Sequence, residues 1–256
     1  LAKRYFIAPD QLTAAEPQIA GEDAHHLRSV LRVRPGTLIS VFDGTGMDYR
    51  AKVTAVNREG ITVALIEQIP ARRESLLSIT VAQGFLKDKK MDTLVRQLTE
   101  LGVTRWAPFL AQRSVPLPTA KRLESRHRRW VKITCGAVKQ CGRSRFMRID
   151  PAVTFSRVLA AAPPAALKLL FWEDVAGAIP LQELREIRPQ EVFLMIGPEG
   201  GFEPEEVEMA IASGFKLVSM GPRILRAETA AVVAGAMVQF VFGDLNQKIL
   251  DNSWAV

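Results

Sequence analysis

The stretch Val192-Phe193-Leu194-Met195-Ile196-Gly197-Pro198-Glu199-Gly200-Gly201-Phe202-Glu203-Pro204-Glu205-Glu206 decides the fold class. Its five leading apolar residues read as a strand buried on both faces, the pattern of a strand inside a parallel sheet. A glycine-rich turn follows, and Pro204 marks the first turn of a helix, where a missing N–H costs nothing. A turn of this kind brings backbone donors up against a ligand. The charges argue against a phosphate: Glu199, Glu203, Glu205 and Glu206 surround the helix start and would repel one, whereas a cationic or neutral ligand is tolerated. The spacing also fits neither G-x-G-x-x-G nor a P-loop. A plain strand-to-helix turn, its carboxylates satisfying the helix dipole, stays open as the other reading.

Toward the C-terminus the same pattern returns in Val218-Ser219-Met220-Gly221-Pro222-Arg223-Ile224-Leu225-Arg226-Ala227-Glu228-Thr229-Ala230. A strand leads through Gly-Pro into a helix over 226–242 crowded with Ala230, Ala231, Ala234, Gly235 and Ala236, small residues that permit close backbone approach. Toward the N-terminus, strands are expected at 77–83, 105–110, 145–149 and 167–172, in addition to 191–196 and 216–219. Between them fall helices at 88–101, 155–161 and 204–212, and a strongly basic one after 110. In the first of these Met91, Leu94, Val95, Leu98 and Leu101 share a face and Gly102 stops the helix. Alternation of this kind predicts an α/β fold, a mostly parallel sheet covered on both faces, with ligands at the carboxyl ends of its strands.

Residues 1–70 follow a different rhythm. Segments 4–8, 38–42, 49–56 and 61–66 are rich in β-branched and aromatic residues, with a turn at 57–60. A short helix is expected over 23–31, where Leu27, Val30 and Leu31 share a face. Pro70-Ala71-Arg72-Arg73-Glu74-Ser75 breaks the pattern, which places a domain boundary there.

The chain has 256 residues, 48% hydrophobic and 24% charged, enough for one large domain or two modest ones and wrong for disordered, collagen-like or low-complexity protein. Its longest weakly charged stretch, 227–242, holds Glu228 and Gln239 and falls short of the roughly 20 apolar residues of a membrane span. No apolar run or cleavage site follows the basic residues of the N-terminal decapeptide, so export by that route is not expected. Two cysteines, Cys135 and Cys141, are too few for a disulfide framework, and a reducing cytoplasm is the expected setting. His25, His26 and His127 form no ligand cluster, so no metal is expected.

The net charge of +7 is unevenly placed. Ten basic residues lie between Thr119 and Arg148 against Glu124 alone, so the remainder of the chain carries a small negative net charge. Such a density points to a polyanion, RNA first, with a solvated basic face as the alternative. Leu123, Trp130, Ile133 and Ala137 recur at helical spacing within it, which argues against a disordered tail.

The turn Gly197-Pro198-Glu199-Gly200-Gly201-Phe202, followed by Leu225-Arg226-Ala227-Glu228-Thr229-Ala230, resembles the RsmE-type bacterial 16S rRNA uridine-N3 methyltransferases of the SPOUT superfamily. Met91-Asp92, Leu98-Thr99-Glu100-Leu101-Gly102-Val103, Arg113-Ser114 and Gln140-Cys141-Gly142-Arg143 match the same pattern in order, as do Arg4-Tyr5-Phe6, Leu31-Arg32 and Asp43-Gly44. The resemblance spans nearly the whole chain. It implies a PUA-like, RNA-binding β-barrel over 1–70, a SPOUT methyltransferase domain with a C-terminal trefoil knot over 76–245, and a tail over 246–256. It further implies S-adenosylmethionine (SAM) as methyl donor, no metal, a homodimer, and action on the assembled 30S subunit.

By the same resemblance the cofactor is held by three loops: Leu170 and Phe171; Gly197, Pro198, Glu199, Gly200 and Gly201; and Ser219, Met220, Gly221, Ile224, Leu225, Arg226, Thr229 and Ala230. Arg226 and Arg143 are candidates for a guanidinium beside the uracil, and Glu199 and Glu228 for the base that takes its N3 proton. RNA contacts are expected from Arg4, Lys121, Arg122, Arg126, Arg128, Arg129, Lys132, Arg143 and Arg145. Two positions depart from the pattern: Gln112 before Arg113-Ser114, and Gly136 before Ala137, where glutamate is expected at both. The alternative functions are a non-catalytic RNA-binding or ribosome-assembly module and a methyltransferase for another RNA site.

Overall fold

A computed structural model describes residues 4–71, 73–87, 89–114, 119–172 and 177–247. The chain divides into two compact units. Of the described residues, the first takes the chain up to Glu74 and adds a second segment, Val138–Phe146; the second takes Ser75–Ala137 and residues 147–247.

The first unit holds β1 (Arg4–Phe6), α1 (Pro9–Leu12), β2 (Gln18–Ile19), α2 (Gly21–His25), β3 (Leu38–Phe42), β4 (Met47–Val56) and β5 (Ile61–Pro70). They form one sheet in the order β1-β3-β4-β5-β2, antiparallel except for β1 with β3. Tyr5, Ile7, Ile19, Val41, Val53, Ile61 and Val63 fill its core, with Leu27 above them. The expected helix over 23–31 is corrected: α2 ends at His25 and passes into a single π-helical turn, His26–Val30. The wider turn breaks the 100° spacing, so Leu27 stays buried while Val30 and Leu31 are left exposed, and Arg32 takes a positive φ of 50°.

The second segment of this unit is tied in by a buried ionic network. Arg143 Nε and Nη2 donate to Glu74 Oε2 at 3.1 and 3.0 Å, and Glu74 Oε1 accepts from the backbone N–H of Ser144 and Arg145 at 2.7 and 2.8 Å. Arg4 donates to the Arg143 carbonyl at 2.8 Å and to Ser144 Oγ, and pairs with Asp48. Phe146 packs against Phe6 and Phe42 with ring centroids 4.9 and 5.9 Å away. The strand expected at 145–149 is therefore shorter, since its first residues serve the first unit.

The second unit holds β6 (Ser78–Gly84), α3 (Lys90–Glu100), β7 (Arg105–Leu110), α4 (Ala120–Cys141, whose last turn counts with the first unit), β8 (Arg148–Ile149), β9 (Val153–Thr154), α5 (Phe155–Ala160), β10 (Leu167–Phe171), β11 (Ile179–Pro180), β12 (Glu191–Ile196), α6 (Pro204–Ala212), β13 (Lys216–Ser219) and α7 (Ala227–Phe242). The strand order is β11-β13-β10-β12-β6-β7-β8, with β9 also on β7, and every pairing is parallel. This order is consistent with a knotted SPOUT domain. Alternate residues of each strand feed two cores, one per face: Val192, Leu194 and Ile196 join one, Phe193 and Met195 the other.

The first of these cores is where α3 and α7 pack. Met91, Leu94, Val95 and Leu98 of α3 are fully buried, and Gly102 ends the helix at φ 82°. A Cβ at Gly235 of α7 would lie 3.6 Å from Leu98 and 3.7 Å from Leu101, so the small residues of α7 serve close packing against α3. Gln239, fully buried, donates to the Leu101 carbonyl at 3.0 Å and so satisfies the end of α3. Trp106 and Trp130 meet edge-on at 4.9 Å and anchor α4 to the same core.

Candidate active site

β10, β12 and β13 are neighbours in the parallel sheet, so the loops leaving their carboxyl ends emerge side by side. They enclose a cleft of about 410 Å³. Phe171 and Trp172 come from the first loop, Gly197, Pro198, Glu199 and Gly201 from the second, and Met220, Gly221, Pro222, Arg223, Ile224, Leu225 and Arg226 from the third, with Ala227 and Ala230 of α7 behind. Most of the expected cofactor residues thus converge on one space.

Four do not line it. Leu170 points the other way, since neighbouring strand residues face opposite sides of a sheet, and is fully buried in the opposite core. Ser219 accepts a hydrogen bond from Gly221 N–H at 3.1 Å, and Thr229 lies exposed on α7. Gly200 is required for another reason: a Cβ there would stand 2.9 Å from Arg113 Cβ. The glycine that the cleft needs is Gly84 at the end of β6, where a Cβ would stand 2.4 Å from Pro198 N.

The ring of glutamates dissolves on inspection. Glu203 and Glu206 form a reciprocal capping box at the start of α6. Arg113 clamps Glu203 with two hydrogen bonds of 2.7 and 2.8 Å and donates to the Gly200 carbonyl at 3.2 Å; Gln112 N–H donates to Glu206 at 2.9 Å. Glu205 is exposed, so of the four only Glu199 borders the cleft.

Glu199 Oε1 accepts from Lys90 Nζ at 3.1 Å and from Lys87 N–H at 3.2 Å. Burial works to raise its pKa, but the Lys90 and Lys87 hydrogen bonds outweigh it and hold the carboxyl below its ordinary value. At neutral pH Glu199 is an ionised group held by a cation, a poor match to a general base. Lys90 also stands 3.3 Å from Glu228 Oε2, a buried oxygen that makes no hydrogen bond. The hydrogen bond to Glu199, with Glu228 adding to it against the cost of burial, raises the Lys90 pKa. Lys90 was missed from the sequence, although it directly precedes the Met91-Asp92 motif.

Of the two candidate arginines, Arg226 is the N-terminal flanking residue of α7, exposed and on the cleft. Arg143, a candidate for both catalysis and RNA contact, has its side chain 3% exposed and bound to Glu74, and it does not line the cleft. Arg4, a candidate for RNA contact, is 12% exposed and engaged by Asp48, Ser144 and the Arg143 carbonyl. A Cβ at Gly136 would meet nothing within 4 Å, and the carboxylate that Arg143 binds is Glu74.

Along α4 the charge is less naked than its sequence. Arg128 pairs with Glu124 at 3.5 Å and Arg129 with Asp92 at 2.9 Å, while Arg126 lies over the Phe85 ring at 5.6 Å. Asp92 also accepts from Trp130 Nε1 at 3.0 Å. Lys121, Arg122 and Lys132 are exposed and, among the described residues, have no ion pair. Arg145, exposed, donates to the Thr45 carbonyl at 3.2 Å.

Residues 73–239 match the profile of a family described as RNA methyltransferase domain, and residues 19–66 that of an RNA methyltransferase PUA domain. The chain is 33% identical over 240 residues to the ribosomal RNA small subunit methyltransferase E of Synechocystis sp., spanning 93% of this chain and 77% of that protein. To the protein of the same name from Bacillus subtilis it is 27% identical over 246 residues, 93% of this chain and 96% of the other. Among solved structures it is similar to the ribosomal RNA small subunit methyltransferase E of Neisseria gonorrhoeae bound to S-adenosyl methionine, with a TM-score of 0.82, 30% identity, and coverage of 96% and 100% of the two chains.

Proposed function

The chain belongs to the RsmE-type RNA methyltransferases, and from that membership we propose that it methylates N3 of a uridine in small-subunit ribosomal RNA with SAM as donor. The observation that carries this reading is the convergence of three strand-end loops on one cleft of nucleoside dimensions. Its walls fit the cofactor: Phe171, Ile196, Ile224 and Leu225 offer apolar surface, while the glycine-rich turn offers backbone polar groups. Those loops would hold the cofactor, which supplies an electrophilic methyl group on a sulfonium.

The rest of the task falls to the chain. The uracil N3–H must give up its proton to a carboxylate or to water, the nitrogen must form its bond to the methyl carbon as the carbon–sulfur bond breaks, and the developing negative charge on the base needs a fixed cation. Arg226, one of two exposed guanidinium groups on the cleft together with Arg223, meets this need at the entrance of α7. Lys121, Arg122 and Lys132, with Arg126, Arg128 and Arg129 beside them, serve phosphate contact, and the first unit serves as a PUA-like RNA-binding domain. The same reading makes the protein a cytoplasmic homodimer acting on the 30S subunit. The test is methyl transfer from labelled SAM to small ribosomal subunits lacking the modification, with nucleoside analysis. The expected product is 3-methyluridine, and a labelled base of any other kind would assign the enzyme to another RNA site.

A further inference from the structure

Lys90 stands at the start of α3, Glu199 in the turn after β12 and Glu228 in the first turn of α7, three elements that meet at one nitrogen. Both carboxylates lie within 3.3 Å of Nζ, so each is also within reach of the other's charge. The side chains of Glu199 and Glu228 are each 26% exposed, which leaves water only a partial share in screening them. Glu228 Oε2 is buried and forms no hydrogen bond, so the ammonium is the positive charge that answers it. The other charged groups of the cleft, Arg223 and Arg226, lie in the loop before α7, and both are exposed.

We propose that Lys90 is a positioning residue of the cofactor cleft: shared between Glu199 and Glu228, its ammonium holds the turn after β12 against the first turn of α7 and so fixes two of the three loops that enclose the cofactor. This rests on the reading of the cleft as the SAM site and adds to it the group that keeps its two sides in register. Without the cation the two carboxylates repel each other, and the turn and the helix separate. Uptake of a proton by the pair is the simplest replacement for the lysine, because it removes one of the two like charges.

That substitution of proton for ammonium gives the test its signature. Lys90→Met removes the charge and keeps the length of the side chain, and SAM binding is followed by calorimetry on the full chain from pH 5 to pH 8. The variant is expected to bind about tenfold more weakly than wild type at pH 8, and to recover most of the loss at pH 5, where the pair takes up a proton. Wild type, whose pair is already satisfied, is expected to show no such recovery. Lys90→Met combined with Glu228→Gln is expected to recover affinity at pH 8, because the repulsion is gone. Affinity of Lys90→Met equal to wild type at pH 8, or equally reduced at every pH and not restored by Glu228→Gln, overturns the proposal. A cofactor-independent readout separates this from failure of the SAM reading: the Glu199 carboxyl carbon, titrated by NMR, is expected to protonate at higher pH in Lys90→Met than in wild type, where the Lys90 hydrogen bond holds it low. Unchanged titration overturns the proposal whether or not SAM binds.

Discussion

A methyl group on Gly84 would stand 2.4 Å from Pro198 N, closer than any real Cβ contact, and its obstacle is backbone that cannot swing aside. Gly84→Ala is therefore expected to push the turn after β12 outward, destabilising the chain by about 1–3 kcal/mol and weakening SAM binding; thermal unfolding with and without SAM measures both. The two arginines singled out from the sequence separate on the same kind of argument. Arg143→Ala strips the buried Glu74 of its counter-charge and is expected to cost about 3–5 kcal/mol in urea denaturation. Arg226 is exposed on the cleft, and Arg226→Ala is expected to lower single-turnover methylation by about 10²–10³, far more than it lowers SAM affinity. A wild-type single-turnover rate would make Arg226 a residue without a catalytic role. The Lys90–Glu199 pair has its own pH window. Glu199, lowered in the folded chain, contributes stability above its ordinary value of 4.5 that is lost as pH falls through the folded value; Lys90, raised from 10.5, contributes below that value and loses it as pH climbs through the folded one. The pair is thus intact across the whole neutral range.

At the scale of elements, the strongest periodicities told most. The five-residue apolar run of β12 and the one-sided face of α3 are visible in the sequence because burial on two faces, or on one helical stripe, constrains every residue in them. Strands of two residues, β2, β9 and β11, carry no periodicity at all and left no trace. The start of α6 misled for a definite reason. Glu203 and Glu206, three apart before an apolar run, have the spacing of a capping box, yet beside Glu199 and Glu205 they read as a ligand-facing ring. Lys90 escaped notice because its role is set by partners 109 and 138 positions away. In α4 the charge excess was legible but its neutralisation was not, since Asp92 lies on another helix. Replacing Lys121, Arg122 and Lys132 together with Ala is expected to flatten the slope of log RNA affinity against log salt by about 2 to 3 units, with SAM binding intact. Replacing Arg129 is expected to do less to the slope and more to stability, because Asp92 also holds Trp130. An unchanged slope in the triple variant would make this face a solvated one.

For the whole molecule, α7 is the element with most left to explain. One side is sealed against α3, yet Phe240 on the same helix is 53% exposed and Ile224 just before it 86% exposed. Apolar surface of this kind is consistent with the proposed homodimer, and light scattering is expected to give about twice 28.3 kDa for wild type. Phe240→Asp is expected to shift the mass toward the single chain, and a monomeric wild type would leave that surface without its proposed occupant. The division into a β-rich and an α/β part could be read from the change of rhythm near Pro70, but the membership of Val138–Phe146 in the first unit could not, because it is written in ion pairs to Glu74 and Arg4 rather than in any local pattern. That membership imposes an order on biosynthesis. A nascent chain leaves the ribosome N-terminus first at about 5–20 residues per second, so the sheet of the first unit is out long before the segment that completes it. For several seconds Glu74 waits for Arg143, Ser144 and Arg145, and the first unit cannot close until the Ser75–Ala137 segment of the second has been made in between.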